Sequence, residues 1–157
     1  MSYLMRKFNK FVEIYTDGSC SQNPGPGGWA AILKFSSVNI KQISGGKKST
    51  TNNAMELTAA LEALQDLQCS YNIDLYTDSV YLQKGMTQWR YAWVKNNWKN
   101  SNRKVIKNIE LWQKLIKYGE LHDIQWFWVK AHSDNYYNNL VDQLAVKETK
   151  YFISQNI

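Results

Sequence analysis

Two aspartates occupy matching positions after two predicted strands. The tripeptide Tyr-Thr-Asp occurs at 15–17 and again at 76–78, each time after a short run rich in β-branched and aromatic residues. A helical pattern separates the two runs, so the strands can lie parallel and present Asp17 and Asp78 at one edge of a sheet. An aspartate after a strand is most often a turn or capping residue, but the matched pair makes a shared site an equally good interpretation.

Two further acids, Glu56 and Asp142, lie near the predicted starts of two helices. The segments Asn53-Ala-Met-Glu56 and Asn139-Leu-Val-Asp142 have capping-box spacing, so helix capping is the ordinary explanation for both acids. Acids in a first turn can also point past the helix start toward the sheet edge. Four carboxylates that converge there would repel one another unless they are protonated or paired with cations.

Such a cluster would form a site for a hard divalent cation. Mg²⁺ prefers oxygen ligands and keeps some of its waters. Two such ions about 4 Å apart activate a water and stabilise the leaving oxygen of an in-line phosphodiester cleavage. His132, in the loop 130–139, could carry a proton to or from that oxygen, although a lone loop histidine is usually an ordinary surface residue.

The positive charge of the chain is concentrated in one segment. The 157 residues carry 19 Lys and Arg against 13 Asp and Glu, a net charge of +6. Nine basic residues and one acid lie at 84–117, so this segment carries +8, while ten basic and twelve acidic residues leave −2 elsewhere. Five aromatic residues alternate with these cations, which predicts a surface for phosphates, sugars and bases. The alternative is a solvated helix face with tryptophans in the core. The aromatic residues are Trp89, Tyr91, Trp93, Trp98 and Trp112.

Composition excludes several classes of protein. Hydrophobic residues make up 44% and aromatic residues 14% of the chain, which argues against disorder. No apolar run reaches the roughly 20 residues of a membrane helix, and the first residues lack the pattern of a secretory signal. Cys20 and Cys69 have no metal or redox spacing and suit a reducing compartment. We therefore expect a cytoplasmic protein that does not bind membranes.

Periodicity predicts a mixed α/β sheet. Strands are expected at 11–16, 28–35, 39–44, 73–77 and 122–129, and helices at 53–67, at 79–118 with a break at 96–101, and at 139–152. Three strands, a helix, a strand, helices, a strand and a helix give a mixed sheet with helices on both faces. Residues 1–10 are interpreted as a short ragged N-terminal tail and 11–157 as one domain.

Several motifs, in this order, resemble bacterial type 1 ribonuclease H. They extend from about Phe11 to Ala145 and are YTDGSC with NPGPGGW, TTNNAMEL, YTDSVY, TQW with two later tryptophans, and KAH with VDQLA. The resemblance implies a ribonuclease H-like fold, with a five-stranded mixed sheet of three antiparallel and two parallel strands. It also implies endonucleolytic hydrolysis of the RNA strand of RNA/DNA hybrids with Mg²⁺ or Mn²⁺, leaving 5′-phosphate and 3′-hydroxyl ends. No obligate protein partner is expected, and the chain is expected to be a monomer.

The resemblance assigns the catalytic roles by position. His132 matches a loop histidine associated with proton transfer and product release. The implied ligands of two metal ions are Asp17, Glu56, Asp78 and Asp142, with Asp17 bridging both ions.

The resemblance also assigns the contacts with substrate. Thr51 and Asn108 match a pocket for a DNA-strand phosphate. A basic protrusion at about 84–104 is expected to place its tryptophans along the DNA sugars; these are Trp89, Trp93 and Trp98. Residues at or beside the scissile region of the hybrid are Cys20, Asn23, Asn52, Asn53 and Ser79.

The chain departs from the family pattern at several positions. Arginine is frequent at Ser49 and glutamine at Val80, glycines are common at Ala131 and Asp134, and glutamate is frequent at Asn139. A stiffer histidine loop with an added acid is expected to alter loop dynamics and metal preference. The four acids and the histidine are intact, so activity is expected.

Three alternatives use the same residues. A hybrid- or duplex-binding module with weak catalysis would depend on the basic segment alone. Another nuclease of the same fold, such as a resolvase, would cut junction DNA. A signalling receiver also has aspartates at strand ends, but it explains neither Asp142 nor the tryptophan-rich segment.

Overall fold

Five strands form one mixed sheet. The computed structural model describes residues 6–155, and its strands are β1 (Phe11–Cys20), β2 (Gly25–Lys34), β3 (Ile40–Thr50), β4 (Asn72–Thr77) and β5 (Asp123–Trp128). Their order is β3-β2-β1-β4-β5. Strands β1, β2 and β3 are antiparallel, and β4 and β5 run parallel to β1. The predicted sheet of three antiparallel and two parallel strands is confirmed.

Helices cover both faces of this sheet. They are α1 (Asn52–Asp66), α2 (Val80–Lys84), α3 (Arg90–Lys95), α4 (Ile109–Gly119) and α5 (Tyr136–Ser154), and a π-helical turn, Gly85–Trp89, joins α2 to α3. Alternate residues of a strand point to opposite faces, so Ile14 and Tyr15 belong to different layers. Ile14 packs in the larger core with α1, α2 and α4, and Tyr15 packs against Val141 of α5.

Strand β1 is longer than predicted. It continues past Asp17 and pairs with β2 as far as Cys20, opposite Gly27, so the predicted end of this strand at residue 16 is wrong. The parallel pairing of β1 with β4 ends instead at Thr16, opposite Thr77. Asp17 and Asp78 are therefore the first residues beyond the same rung of the sheet, as the repeated tripeptide predicted.

The helical region at 79–118 is more interrupted than predicted. No helix covers 96–108. Positive φ angles at Asn97, Trp98, Arg103 and Asn108 are incompatible with a continuing right-handed helix.

Residues 6–10 are anchored to the sheet. Arg6 bonds to the Asp74 carboxylate at 3.0 Å and to the carbonyl oxygens of Ile73 and Asp123 at 3.0 and 2.8 Å. The Phe8 amide donates to Asn72 Oδ1 at 3.0 Å. The predicted ragged tail is thus wrong for these five residues, and residues 1–5 lie outside the described part. Within 6–155, no helix combines the length and apolar character needed to cross a membrane.

Candidate metal centre and nucleic-acid interface

Three carboxylates meet at the end of the β1–β4 pairing. Asp17, Glu56 and Asp78 each offer an oxygen within 4.8 Å of the others. Asp17 and Glu56 are only 3% and 4% exposed. Asp142 of α5 lines the same cavity of about 460 Å³, so helices on opposite faces of the sheet each contribute an acid to it. The predicted convergence of four acids at one sheet edge is what the structure contains.

Gly18 allows α1 to approach this edge closely. A Cβ atom added at Gly18 would collide with the backbone nitrogen of Glu56 and lie 2.6 Å from the backbone carbon of Met55. Because the obstacles are main-chain atoms, a side chain here would force α1 away from β1. Gly18 therefore sets the distance between Asp17 and Glu56.

Gly18→Ala should separate Glu56 from Asp17 and lower both stability and cleavage rate. Overpacking of this kind costs about 1–3 kcal/mol. Chemical denaturation and an initial-rate assay would measure the two effects. Gly119→Ala in α4 is the matched control, because its added Cβ would lie 3.6 Å from Met86 Cε, an ordinary contact. Equal changes in stability and rate for the two variants would contradict the close approach of α1 inferred at Gly18.

Neither helix acid caps its helix. Thr51 caps α1 by accepting a bond from the Ala54 amide at 3.1 Å, and Asn135 caps α5 by accepting from Asn138 at 2.8 Å. The capping interpretation of Glu56 and Asp142 is therefore wrong, because Thr51 and Asn135 are the capping residues. The Oε1 atom of Glu56 is buried without a hydrogen-bond partner.

Burial and mutual repulsion perturb the acid cluster. Burial, followed by the charges of Asp78 and Asp142, raises the pKa of Asp17 to about 8. Burial and the charges of Asp17 and Asp78 raise the pKa of Glu56 well above its ordinary value. Burial also raises the pKa of Asp78, although hydrogen bonds with Asp17 and Glu56 oppose the rise. Without a cation, the cluster therefore still holds protons near neutral pH, where isolated carboxyl groups have already lost theirs.

These residues fit a hard divalent cation. The donors are all carboxylate oxygens, and the buried Glu56 Oε1 atom, which has no hydrogen-bond partner, can serve as a ligand. A cation would replace the protons that now relieve the repulsion.

His132 lies at the rim of the cluster. Its side chain is 80% exposed, and its Nδ1 atom is 4.0 Å from Asp142 Oδ2. Its φ of 56° is in the left-handed region. Asn139, one of the departures from the family pattern, donates to the Ser133 carbonyl oxygen at 2.8 Å and ties this loop to α5.

The predicted contacts near the scissile region are close to the acids. Asn23 lies beside this group, because its Oδ1 accepts from the Asn52 amide at 2.9 Å. The Ser79 hydroxyl accepts from the Leu82 amide and caps α2. Contact of these residues with a hybrid stays a prediction. The predicted residues that line the cavity are Cys20, Asn52, Asn53 and Ser79.

The tryptophans divide between core and surface. Trp112 is fully buried, so the core alternative is right for this residue. Trp93 and Trp98 are half-buried and pack against the core, with ring centroids 5.9 Å apart. Trp89 is 37% exposed and lies 6.0 Å from Trp93. Their position along DNA sugars stays a prediction.

A second cavity of about 460 Å³ lies between α1 and α4. Lys47, Lys114, Ala54 and Asn108 contribute to its lining. Thr51 is adjacent through its bond to the Ala54 amide. Thr51 and Asn108 are thus at one region of the surface with two cations, Lys47 and Lys114, and one acid, Glu110. This lining keeps a net positive charge, which suits the predicted phosphate pocket.

The sequence analysis assigned no role to two further residues at the site, Trp128 and Tyr81, although Tyr81 ends the motif YTDSVY. The Trp128 indole donates to the Asp78 carbonyl oxygen at 3.0 Å and holds the backbone of a candidate ligand. Tyr81 lines the acid cavity and contacts Trp89 and Trp112. Trp128 and Asp78 are 50 residues apart, so only the pairing of β5 with β4 could have indicated this contact.

Fold and site together define an α/β protein with a carboxylate centre for divalent metal at one edge of its sheet. A family model for ribonuclease H matches residues 9–150. Ribonuclease H of Ehrlichia chaffeensis is 52% identical over 139 residues, covering 88% of this chain and 94% of the relative. That of Rickettsia akari is 55% identical and covers 88% and 91%. The chain therefore belongs to the ribonuclease H family and is a hydrolase.

Solved structures agree with this assignment. LC9-RNase H1, described as a type 1 RNase H with the type 2 active-site motif, is 27% identical with a TM-score of 0.82, covering 92% of this chain and 74% of that one. LC11-RNase H1, solved with an RNA/DNA hybrid, is 20% identical with a TM-score of 0.68, covering 90% and 99%. The second comparison supports the fold alone.

Proposed function

We propose that this protein hydrolyses the RNA strand of RNA/DNA hybrids endonucleolytically and leaves 5′-phosphate and 3′-hydroxyl ends. The observation that carries the proposal is the convergence of Asp17, Glu56, Asp78 and Asp142 on one cavity in a member of the ribonuclease H family. The relatives named ribonuclease H, 52% and 55% identical to this chain, support the choice of substrate. The proposed setting is cytoplasmic and monomeric, with one catalytic domain that includes the anchored residues 6–10 as well as the predicted 11–157.

The acids would hold two divalent cations, Mg²⁺ or Mn²⁺. Bound there, these ions would activate a water and stabilise charge on the leaving oxygen. Asp17 would be one of these ligands, and the charges of both Asp78 and Asp142 act on it. His132, exposed beside Asp142, would move a proton at the leaving 3′ oxygen.

The basic segment would hold the DNA strand of the hybrid. Its nine cations match a phosphate backbone, and the exposed face of Trp89 suits a sugar. Contacts with 2′-hydroxyl groups would distinguish the RNA strand. Asn52 and Asn53, which line the acid cavity, would supply such contacts, whereas the Val80 side chain has no polar atom to offer.

A cleavage assay with three substrates tests this proposal. Labelled RNA/DNA hybrid, double-stranded RNA and junction DNA would be incubated across Mg²⁺ and Mn²⁺ titrations. We expect metal-dependent cutting of the hybrid alone. An uncut hybrid would refute the proposal, and cutting of junction DNA would favour the resolvase alternative. Salt-sensitive binding without cleavage would favour a binding module.

His132→Ala should lower kcat by about 10²- to 10⁴-fold, the usual contribution of a general acid–base residue. The four acids should remain in place, because His132 is mostly exposed and supports no packing. Steady-state kinetics across pH would measure the effect. Ser133→Ala, at the neighbouring loop position, controls for disturbance of the loop. An unchanged kcat for His132→Ala would remove the histidine from the reaction.

A further inference from the structure

Tyr81 connects the acid cavity to the second cavity. Its side chain lines the cavity that holds the four acids. Its hydroxyl oxygen lies 3.1 Å from Asn108 Nδ2 and 3.2 Å from Trp112 Nε1. Asn108 in turn lines the second cavity beside Lys47 and Lys114. One phenol group therefore joins the two regions proposed to bind opposite strands of a hybrid.

Asn108 has an unusual conformation for a residue that begins a helix. It precedes α4 with φ 60° and ψ 28°, in the left-handed region, and its side chain makes no capping bond. An asparagine in this position normally accepts a hydrogen bond from the helix backbone. Here the carboxamide donates to Tyr81 instead. Asn108 therefore lacks both the extended backbone and the capping bond that are usual at this position, and its side chain bonds to Tyr81.

Trp112 fixes the other side of the Tyr81 hydroxyl. An indole N–H can only donate, so it holds the phenol oxygen as an acceptor. Trp112 is fully buried and cannot move with the surface. Gly85 in the π-helical turn admits the indole, because an added Cβ would lie 2.6 Å from Trp112 Cζ3. The position of the hydroxyl is therefore set by the core.

We infer that Tyr81 is a positioning residue, whose hydroxyl orients the Asn108 carboxamide to donate to a DNA-strand phosphate at the second cavity. The inference rests on the proposed function, because it requires the basic segment, which includes Asn108, to hold the DNA strand of a hybrid. The amide has two N–H groups, so one can bond to Tyr81 while the other faces the phosphate. Tyr81 would thus act on substrate binding rather than on the chemical step.

Tyr81→Phe tests the role of the hydroxyl, because it keeps the ring and its packing. We expect KM for a short hybrid to rise about three- to tenfold, the contribution of one neutral hydrogen bond, with kcat within about twofold. In an Asn108→Ala background the same change should leave KM unaltered, because its target is gone. Tyr71→Phe is the matched control: Tyr71 is also half-buried but lies before the opposite end of β4.

Neutral phosphate analogues provide a second readout that does not depend on stability. A set of hybrids, each with one methylphosphonate in the DNA strand, would be tested for binding in the Asp17→Asn background. At one position in the DNA strand, the methylphosphonate should weaken binding to the Asp17→Asn protein. The same methylphosphonate should weaken binding less when Tyr81→Phe is added. Unchanged KM in an enzyme that cuts hybrid, or an equal rise in both backgrounds, would overturn the inference. Failure of the parent to cut hybrid would instead refute the proposed function.

Discussion

Asp17→Asn will reduce hybrid cleavage to background while it stabilises the metal-free protein. Asparagine has nearly the shape of aspartate, so β1 and its pairing should be preserved. It lacks the negative charge that a divalent cation requires at the centre of the cluster. The same charge is costly without metal, because Asp17 is buried beside Asp78 and Asp142. At pH 8 we expect a gain of about 1 kcal/mol or more in the free energy of unfolding.

Cleavage rates and urea unfolding in EDTA would measure the two effects. Glu62→Gln is the matched control, because it removes an acid from α1 outside the acid cavity. It should leave both quantities nearly unchanged. A near-normal rate for Asp17→Asn would exclude Asp17 as a ligand, and a loss of stability would contradict the repulsion inferred for the cluster.

The metal-free protein will lose stability as pH rises from about 6.5 to 8. The pKa of Asp17 is about 8 in the folded state against 3.8 for an ordinary aspartate, so over this range the folded state holds a proton that the unfolded state has released. The free energy of unfolding therefore falls as pH rises toward the pKa that Asp17 has in the folded state. One pKa unit corresponds to about 1.4 kcal/mol, so the expected loss over the window is about 2 kcal/mol.

His122 sets the lower limit of this window. Burial lowers its pKa from 6.5, so it favours folding above 6.5 and loses that contribution as pH falls. Below 6.5 the two groups act in opposite directions. The slope caused by the acid cluster is therefore measured above that value.

Urea unfolding at several pH values, with EDTA or with Mg²⁺ or Mn²⁺, would test this prediction. Metal should reduce the dependence of the free energy of unfolding on pH, because a bound cation replaces the proton and stabilises the folded state. Asp17→Asn should reduce this dependence in EDTA as well. The same slope with and without metal, in parent and variant, would show that the cluster does not control stability.

The sequence predicted the acid cluster better than it predicted the surroundings of the cluster. The repeated Tyr-Thr-Asp tripeptide correctly placed Asp17 and Asp78, because the parallel register pairs Thr16 with Thr77. The capping interpretation of Glu56 was wrong, because Thr51, two positions before Asn53, is an equally competent cap. Local patterns cannot choose between two such neighbours.

The tryptophan-rich segment shows a different limit. Composition predicted a binding surface, but it could not tell that Trp112 is buried while Trp89 is exposed. The π-helical turn at Gly85–Trp89 changes which residues share a face, and helical periodicity cannot anticipate it. The contacts of Arg6 were also beyond prediction, because its partners are more than 60 residues away along the chain.

The position of α5 has a consequence for the newly synthesised protein. Asp17, Glu56 and Asp78 belong to the first half of the chain, whereas His132 and Asp142 come from its last thirty residues. Asp142 reaches the cavity only when α5 has packed on its face of the sheet. A nascent chain on the ribosome therefore carries an incomplete centre, and RNA in its surroundings meets the full set of acids only after the last helix has folded.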